Sequence, residues 1–424
     1  MREMKDSGID WIGEVPIQWQ LVPTKRIFKG KKQIVGGNSD MYERLALTMN
    51  GVVKRNKDDN EGLQPEQFDN YQILESNELV FKLIDLQNIR TSRVGLSPYT
   101  GIVSPAYIIL TNTKADNRFY YYWYFDMYNR CVFNRMGGDG VRSALNLKDV
   151  LEIPIPMISD TEQHRIAEFL DRKCAEVDEM IGLQEQIIEE LKAYKQSVIT
   201  ETVTKGLKPD VPMKDSGIEW IGEIPEHWRI GKIKMIAKTN SGSTPKTISQ
   251  TEKSSIVWIR TTDINDNLVT DSSLHLTQEE LNSASCPMLN KDVCVVAMYG
   301  GGGTIGKCGI LGVEATINQA LCSIEVKSFH LGAFMFWTLR ATRYNWMKFA
   351  VGTRKDPNIS QEIVRNYIVP IPPIEEQQKI SDYLNTKCTE IDNLISIKQS
   401  KIDSLKEYKK SIIYEYVTGK REVE

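Results

Sequence analysis

Apolar residues in this chain follow two alternating regimes. In the first they step by four and three residues: Val177, Ile181, Ile188, Leu191 and Val198, and again Ile391, Ile395, Ile402, Leu405 and Ile412. Such steps are the 3.5-residue period of a helix that buries one stripe against another helix. Polar residues break both stripes at matching places, Gln184 and Lys195 in one, Lys398 and Lys409 in the other. Asp160 or Thr161 can cap the first run, and only Gly182 interrupts it before Gly206. About 40 residues at 1.5 Å each make rods of roughly 60 Å. A single stripe would ordinarily cover a domain core. Two stripes with the same defects predict that the helices pair with each other, antiparallel under an internal pseudo-twofold.

The second regime fills residues 20–150 and 229–368. Short apolar bursts, Leu79 to Phe81, Ile102 to Leu110 and Val293 to Met298, alternate with Gly, Asn, Asp and Ser clusters. Arg118 to Phe133 and Phe329 to Phe349 have helical character. Each block therefore predicts a mixed α/β domain.

The two halves are copies. Met4 to Trp19 reads MKDSGIDWIGEVPIQW and Met213 to Trp228 reads MKDSGIEWIGEIPEHW, with 12 identities in 16 positions at an offset of 209. A second echo, Ile153 to Ile181 against Val369 to Ile395, holds an offset of 214 through Glu162/Glu376, Lys173/Lys387, Cys174/Cys388 and Asp178/Asp392. Within the variable blocks only a faint skeleton persists, Gly95/Gly306, Gly101/Gly312, Arg142/Arg354 and Asn146/Asn358, at offsets of 211 to 212. Repeats of this kind divide the chain at 1–156, 157–208, 209–372 and 373–424, a domain followed by a helix, twice.

With 424 residues there is ample length for two such domains, and 41% hydrophobic with 26% charged residues is an ordinary globular composition. No apolar run is long enough to span a bilayer, and MREMKDSGID has no signal-peptide core, so the expected location is the cytoplasm, with no membrane partner. Seven cysteines without a C-x-x-C pair, and four histidines without ligand spacing, predict packed thiols and no metal site.

A formal net charge of −3 argues against nucleic acid until it is divided along the chain. Residues 20–150 carry 18 basic and 14 acidic side chains and 229–368 carry 16 and 11, whereas 151–228 carry 8 and 17. Positive charge is thus partitioned onto the two variable blocks. Within them Lys82, Arg90, Arg93, Tyr99, Arg135, Arg142, Lys246, Arg260, Lys307, Arg354 and Lys355 are candidate DNA contacts. Arg can reach guanine bidentately, Asn or Gln adenine, and Lys the phosphates. Taken singly, each is an ordinary solvated charge, and only the partition argues for a polyanion.

One stretch, AMYGGGGTIGKCGI, imitates a phosphate-binding loop, with G-x-x-x-x-G-K over Gly301 to Lys307. Cys308 stands where such a loop needs Ser or Thr for magnesium. The residues beyond it alternate like a strand, whereas a phosphate cradle must open a helix. A glycine-rich hairpin turn fits better. Methyltransferase N-P-P-[YF], H-E-x-x-H and G-x-S-x-G motifs are absent, and Asp58/Asp59 and Glu189/Glu190 are adjacent pairs whose side chains diverge. The chain reads as a binding subunit, not an enzyme.

The paired MKDSGI-W-I-G-E segments, the I-P-I-P lead-ins and the helices opening with Glu162-Gln163 and Glu376-Gln377 resemble the specificity subunit of type I restriction-modification enzymes. That resemblance spans essentially the whole chain. It implies two homologous target recognition domains, mixed α+β, separated by two long helices in an antiparallel coiled coil. It also implies a split, asymmetric double-stranded DNA target and docking of two modification (methyltransferase) subunits and of restriction subunits. By the same resemblance S-adenosylmethionine is bound by the modification subunit, and this chain holds no cofactor. The W-I-G-E segments and helices become candidates for holding the modification subunits, and helix length for setting the unread gap between half-sites. Two other classes fit the residues: a coiled-coil adaptor binding proteins, and a nucleotide-hydrolysing enzyme built on Lys307.

Overall fold

The computed structural model describes residues 2–57, 67–86, 93–136, 144–284, 286–300, 303–352 and 357–423. They form two compact units, Met1–Glu185 with Gln399–Glu424, and Gln186–Lys398. Two long helices, Asp160–Lys205 and Ile374–Val417, each contribute one half to either unit. The fold is mixed α/β and built twice, as the sequence predicts.

Each unit begins with the sixteen-residue repeat folded as a short hairpin, Met4–Asp6 with Glu14–Pro16 and Met213–Asp215 with Glu223–Pro225. The next strand, Gln20–Pro23 or Arg229–Lys232, pairs antiparallel with the I-P-I-P or I-V-P-I segment, Pro154–Met157 or Ile368–Ile371, that leads into the long helix. A proline removes one donor at each position it occupies, so these segments suit a two-stranded ribbon better than an interior strand.

In the first unit the recognition block forms two four-stranded sheets. Their cores are apolar, with Leu45, Leu47, Val80 and Ile109 on one side and Phe81, Phe119, Tyr120 and Trp123 on the other. Helices Asn117–Asn129 and Val132–Met136 replace the single helical stretch expected to Phe133. The break falls at Cys131, whose φ of 55° is left-handed. The second unit has a five-stranded sheet of Ala237–Ser241, Leu321–Val326, Cys294–Ala297, Cys308–Leu311 and Asn267–Val269, in that spatial order. Helix Gly332–Thr342 packs on it, and a 3-10 turn continues to Phe349.

The helix stripes lie as the period requires. Val177, Ile188, Val198, Ile391, Ile402, Leu405 and Ile412 are buried, and Ile181, Leu191 and Ile395 half-buried. Two of the polar defects, Lys195 and Lys409, have partners. In the first unit Lys409 Nζ donates to Asp178 at 2.6 Å, and in the second Lys195 Nζ donates to Asp392 at 2.6 Å. Both pairings place residue i opposite residue 587 − i, so each pair of helix halves is antiparallel. A lysine inside an apolar stripe is satisfied in only one register, the best-attested use of a polar residue in a coiled coil.

Two details of the sequence reading change. The first long helix is capped by Ser159, whose hydroxyl accepts from the Glu162 N–H at 3.3 Å, rather than by Asp160 or Thr161. The faint skeleton also shifts register. Asn146 and Ser360 are the equivalent N-caps, of helices Leu147–Glu152 and Gln361–Asn366, at the helical offset of 214 rather than 212. Gly95 lies inside a strand while Gly306 lies in a turn at φ 80°, so that glycine pair is not equivalent.

Candidate nucleic-acid interface

The signature residues of the repeat hold each unit together. Trp19, 2% exposed, donates its indole N–H to Glu162 at 3.3 Å, and fully buried Trp228 donates to Glu376 at 2.9 Å. Next to each glutamate a buried glutamine anchors the N-cap residue of its own domain's helix. Gln163 Oε1 accepts from the Asp116 N–H at 2.9 Å and Gln377 Oε1 from the Leu331 N–H at 2.8 Å, and these residues precede helices Asn117–Asn129 and Gly332–Thr342. The Glu-Gln pair therefore joins three elements: repeat, domain helix and long helix. A glycine in left-handed conformation ends each long helix over the same tryptophan, Gly206 (φ 76°) on Trp228 and Gly419 (φ 70°) on Trp19. The tryptophans of the W-I-G-E segments themselves, Trp11 and Trp220, are half-buried, Trp11 edge-on to Trp123 and Trp220 stacked on Tyr367.

Positive charge in the first unit is placed against its own interest. Lys82 and Arg93 are direct partners on neighbouring antiparallel strands, and so are Arg44 and Arg55. Like charges directly opposite destabilise a sheet. Burial lowers the Lys82 pKa and the charge of Arg93 lowers it further. Tyr107 lies within the field of both Arg93 and Arg44, although burial raises its own pKa overall. Arg44 sits over the Phe68 ring at 5.5 Å, and its buried Nη1 has no hydrogen-bond partner among the described residues. Two cross-strand cation pairs around one tyrosine make a surface that a polyanion would relieve. Sequence reading found Lys82 and Arg93 but missed Arg44 and Arg55. Their proximity comes from a hairpin whose turn, Thr48 to Gly51, was the one available signal.

Tyr99 and Arg135 stand apart from those pairs. Tyr99 is beyond the far end of the Arg93–Leu96 strand, with Lys54 Nζ 5.1 Å from its ring centroid. Arg135 is exposed in the last turn of the short helix Val132–Met136. Arg90, Arg142, Arg354 and Lys355 lie outside the described residues.

In the second unit topology collects the candidates. Ser241, Leu321, Ala297, Cys308 and Asn267 all stand at one end of the five-stranded sheet. From that end leave the segment bearing exposed Lys246, the turn at Asn318, the loop ending at Lys307, and the segment from Arg260 to Asp266. Arg260 is held by Asp263 at 3.4 Å and Ser273 at 2.7 Å. The glycine loop is a hairpin connection, because Val296 pairs antiparallel with Cys308 and a strand, not a helix, follows. Gly306 has no room for a Cβ beside Trp346 and the Arg343 carbonyl. Arg343 pairs with Asp266. The phosphate-loop reading has no helix N-terminus to rest on.

All seven cysteines are free thiols and six are buried. Among the described residues no cluster has the makings of a metal site, and no helix is long and apolar enough to cross a membrane.

Two mixed α/β units, each with a cation-bearing sheet and each joined to a pair of long-helix halves, define a class of internally repeated two-domain subunit. The family model of the type I restriction modification DNA specificity domain matches this chain twice, over residues 21–193 and 225–407, and the chain belongs to that family. It is similar to the MjaVIII specificity subunit of Methanocaldococcus jannaschii, 27% identical over 64% of this chain and 62% of that one. It is also similar to the EcoBI specificity subunit of Escherichia coli, 28% identical over 56% and 51%. The matches thus span between half and three fifths of these relatives' lengths. Among solved structures, one from work on complex assembly and conformational transition of the type I R-M system shares the fold at a TM-score of 0.73 and 14% identity, over 95% of this chain and 98% of that one. The HsdS subunit from Thermoanaerobacter tengcongensis follows at 0.53 and 14% identity, over 96% and 98%.

Proposed function

We propose that this chain is the non-catalytic reader of a type I restriction-modification complex, recognising a two-part, asymmetric DNA sequence with one part read by each unit. The observation that carries this reading is a contrast. The Trp–Glu–Gln joint recurs residue for residue in both units, while the cation-bearing loops differ in sequence, sheet and partner. A duplicated frame with divergent readers suits two different half-sites.

Docking of modification subunits is supported by a second duplication. In the first unit Met180, Leu183 and Tyr408 are exposed on the helix pair, and in the second their counterparts Leu394, Ile397 and Tyr194 are exposed, each at the offset of 214. Large apolar side chains in matching solvent-facing positions fit a partner held twice. The methyl donor S-adenosylmethionine is then bound by that partner, and restriction subunits join the assembled complex.

The test is the methylome of cells with and without the chain and its partners. Two short modified half-sites at fixed separation are expected, with binding that weakens steeply with salt yet survives competitor DNA. A single contiguous site, or binding indifferent to sequence, would refute the proposal.

A further inference from the structure

We infer that Gln319 reads an adenine in the half-site of the second unit, with Thr244 as the residue that positions it; the inference rests on the DNA-reading role proposed above. Gln319 occupies the turn between strands Thr316–Ile317 and Leu321–Val326, at the sheet end from which the Lys246, Lys307 and Arg260 segments leave. Lys246 on the segment alongside can serve a phosphate, and the exposed glutamine side chain is presented beside it.

Three observations separate Gln319 from an ordinary surface amide. First, its turn is braced. The Asn318 N–H donates to the Ile259 carbonyl at 3.0 Å and the Ser243 N–H to the Ile317 carbonyl at 3.0 Å. Ser243 is itself fixed by the Trp258 indole at 3.2 Å. Second, the bracing segment has been brought into backbone contact: a Cβ at Gly242 would stand 1.9 Å from the Ile317 carbonyl oxygen, so only glycine fits. Third, the Thr244 hydroxyl donates to Gln319 Oε1. That bond holds the carboxamide by one end. It leaves one Oε1 lone pair and an NH2 group with no protein partner among the described residues.

A carboxamide so oriented matches adenine in the major groove, its oxygen accepting from N6–H and its nitrogen donating to N7. Guanine presents two acceptors at the same positions and would leave Oε1 without a donor. Holding the amide before DNA arrives removes the rotamer cost that an unbraced glutamine carries, which is the general source of selectivity in a preorganised contact.

The experiment selects bound duplexes from a randomised library with the full-length chain in complex with its modification subunits, comparing wild type, Gln319→Ala, Thr244→Val and Thr244→Ser. Wild type should yield a bipartite motif. Gln319→Ala should lose about ten- to hundredfold preference for adenine at one position of one half-site, leaving the other half-site unchanged. Thr244→Val should lose part of the same preference at the same position, and Thr244→Ser should restore it. The unchanged half-site serves as the folding control. A bipartite motif whose every base preference survives Gln319→Ala, or changes only where the base is not adenine, overturns this inference and leaves the proposed function standing. No motif from the wild-type complex overturns the function, and the inference with it.

Discussion

In both units the tryptophan that ends the repeat is bound by the glutamate that opens a long helix, yet that carboxylate's other partner differs. In the first unit Arg2 fills the place and also engages Glu422 near the chain's end. In the second it is His227, with Nε2 at 2.8 Å from Glu376. The buried half of the joint is identical, and the exposed half varies. Interior contacts at native packing density tolerate little substitution, whereas a rim partner for a carboxylate can be any donor within reach. The comparison predicts that the buried half carries most of the energy.

Removing the shared tryptophan is the severest way to break it. Trp19→Ala and Trp228→Ala should each cost about 3–5 kcal/mol, since a large buried side chain and the glutamate's donor are lost together. In calorimetry the transition of the substituted unit should fall and the other should stay. If both transitions move together, the two units are not separate folding bodies.

The glycines above the tryptophans give a finer comparison. A Cβ at Gly419 would lie 2.5 Å from Pro16 and 2.9 Å from Trp19, whereas at Gly206 the nearest atom is Trp228 at 3.1 Å. Both positions carry the left-handed backbone penalty of about 1–2 kcal/mol. Gly419→Ala adds an overpacking cost of about 1–3 kcal/mol that Gly206→Ala largely escapes. Denaturant midpoints should therefore fall further for the first substitution than for the second.

The rim partners separate the units by pH. Burial raises the Glu376 pKa, but hydrogen bonds from Trp228 and His227 outweigh it and hold the carboxyl below its ordinary value. A lowered carboxylate pKa contributes stability above the ordinary range, and that stability is lost as pH falls through the lowered value. Glu376→Gln should cost about 2 kcal/mol at neutral pH and flatten the acid limb of the second unit's stability curve. An unflattened limb would assign the acid sensitivity to other groups.

How much of this was legible before folding depends on whether the partners were periodic or distant. The helix pairing and its lysine defects could be read because 3.5-residue stripes and a 214-residue echo are properties of the sequence itself, whereas the register that sets Lys195 against Asp392 came only with the fold. The strand of Gln20–Pro23 pairing with Pro154–Met157 could not, since nothing in either segment names a partner 130 residues away. The same holds for Trp19 and Glu162: each was visible as part of a repeated signature, but only the fold shows that the signature is a joint. Lys246, Arg260 and Lys307 were visible as charges, and the sheet's strand order made them neighbours.

Those charges supply the last comparison. In the second unit the arginines beside the sheet end are tied to carboxylates, Arg260 to Asp263 and Arg343 to Asp266. In the first unit Arg44 also faces Arg55, and Lys82 faces Arg93, across antiparallel strands, with Asp85 in the field of Lys82. If that arrangement persists because DNA neutralises it, then Arg55→Gln must move stability and binding in opposite directions. Relief of the like-charge pair should stabilise the first unit by about 0.2–1 kcal/mol. Loss of one phosphate contact should reduce the slope of log affinity against log salt by about one and weaken binding across all sequences alike. The corresponding change in the second unit, Arg260→Gln, should instead destabilise slightly, because it strands Asp263, half-buried, without its cation. Equal signs for the two stability changes would mean that the cross-strand cations of the first unit are tolerated rather than held for a ligand.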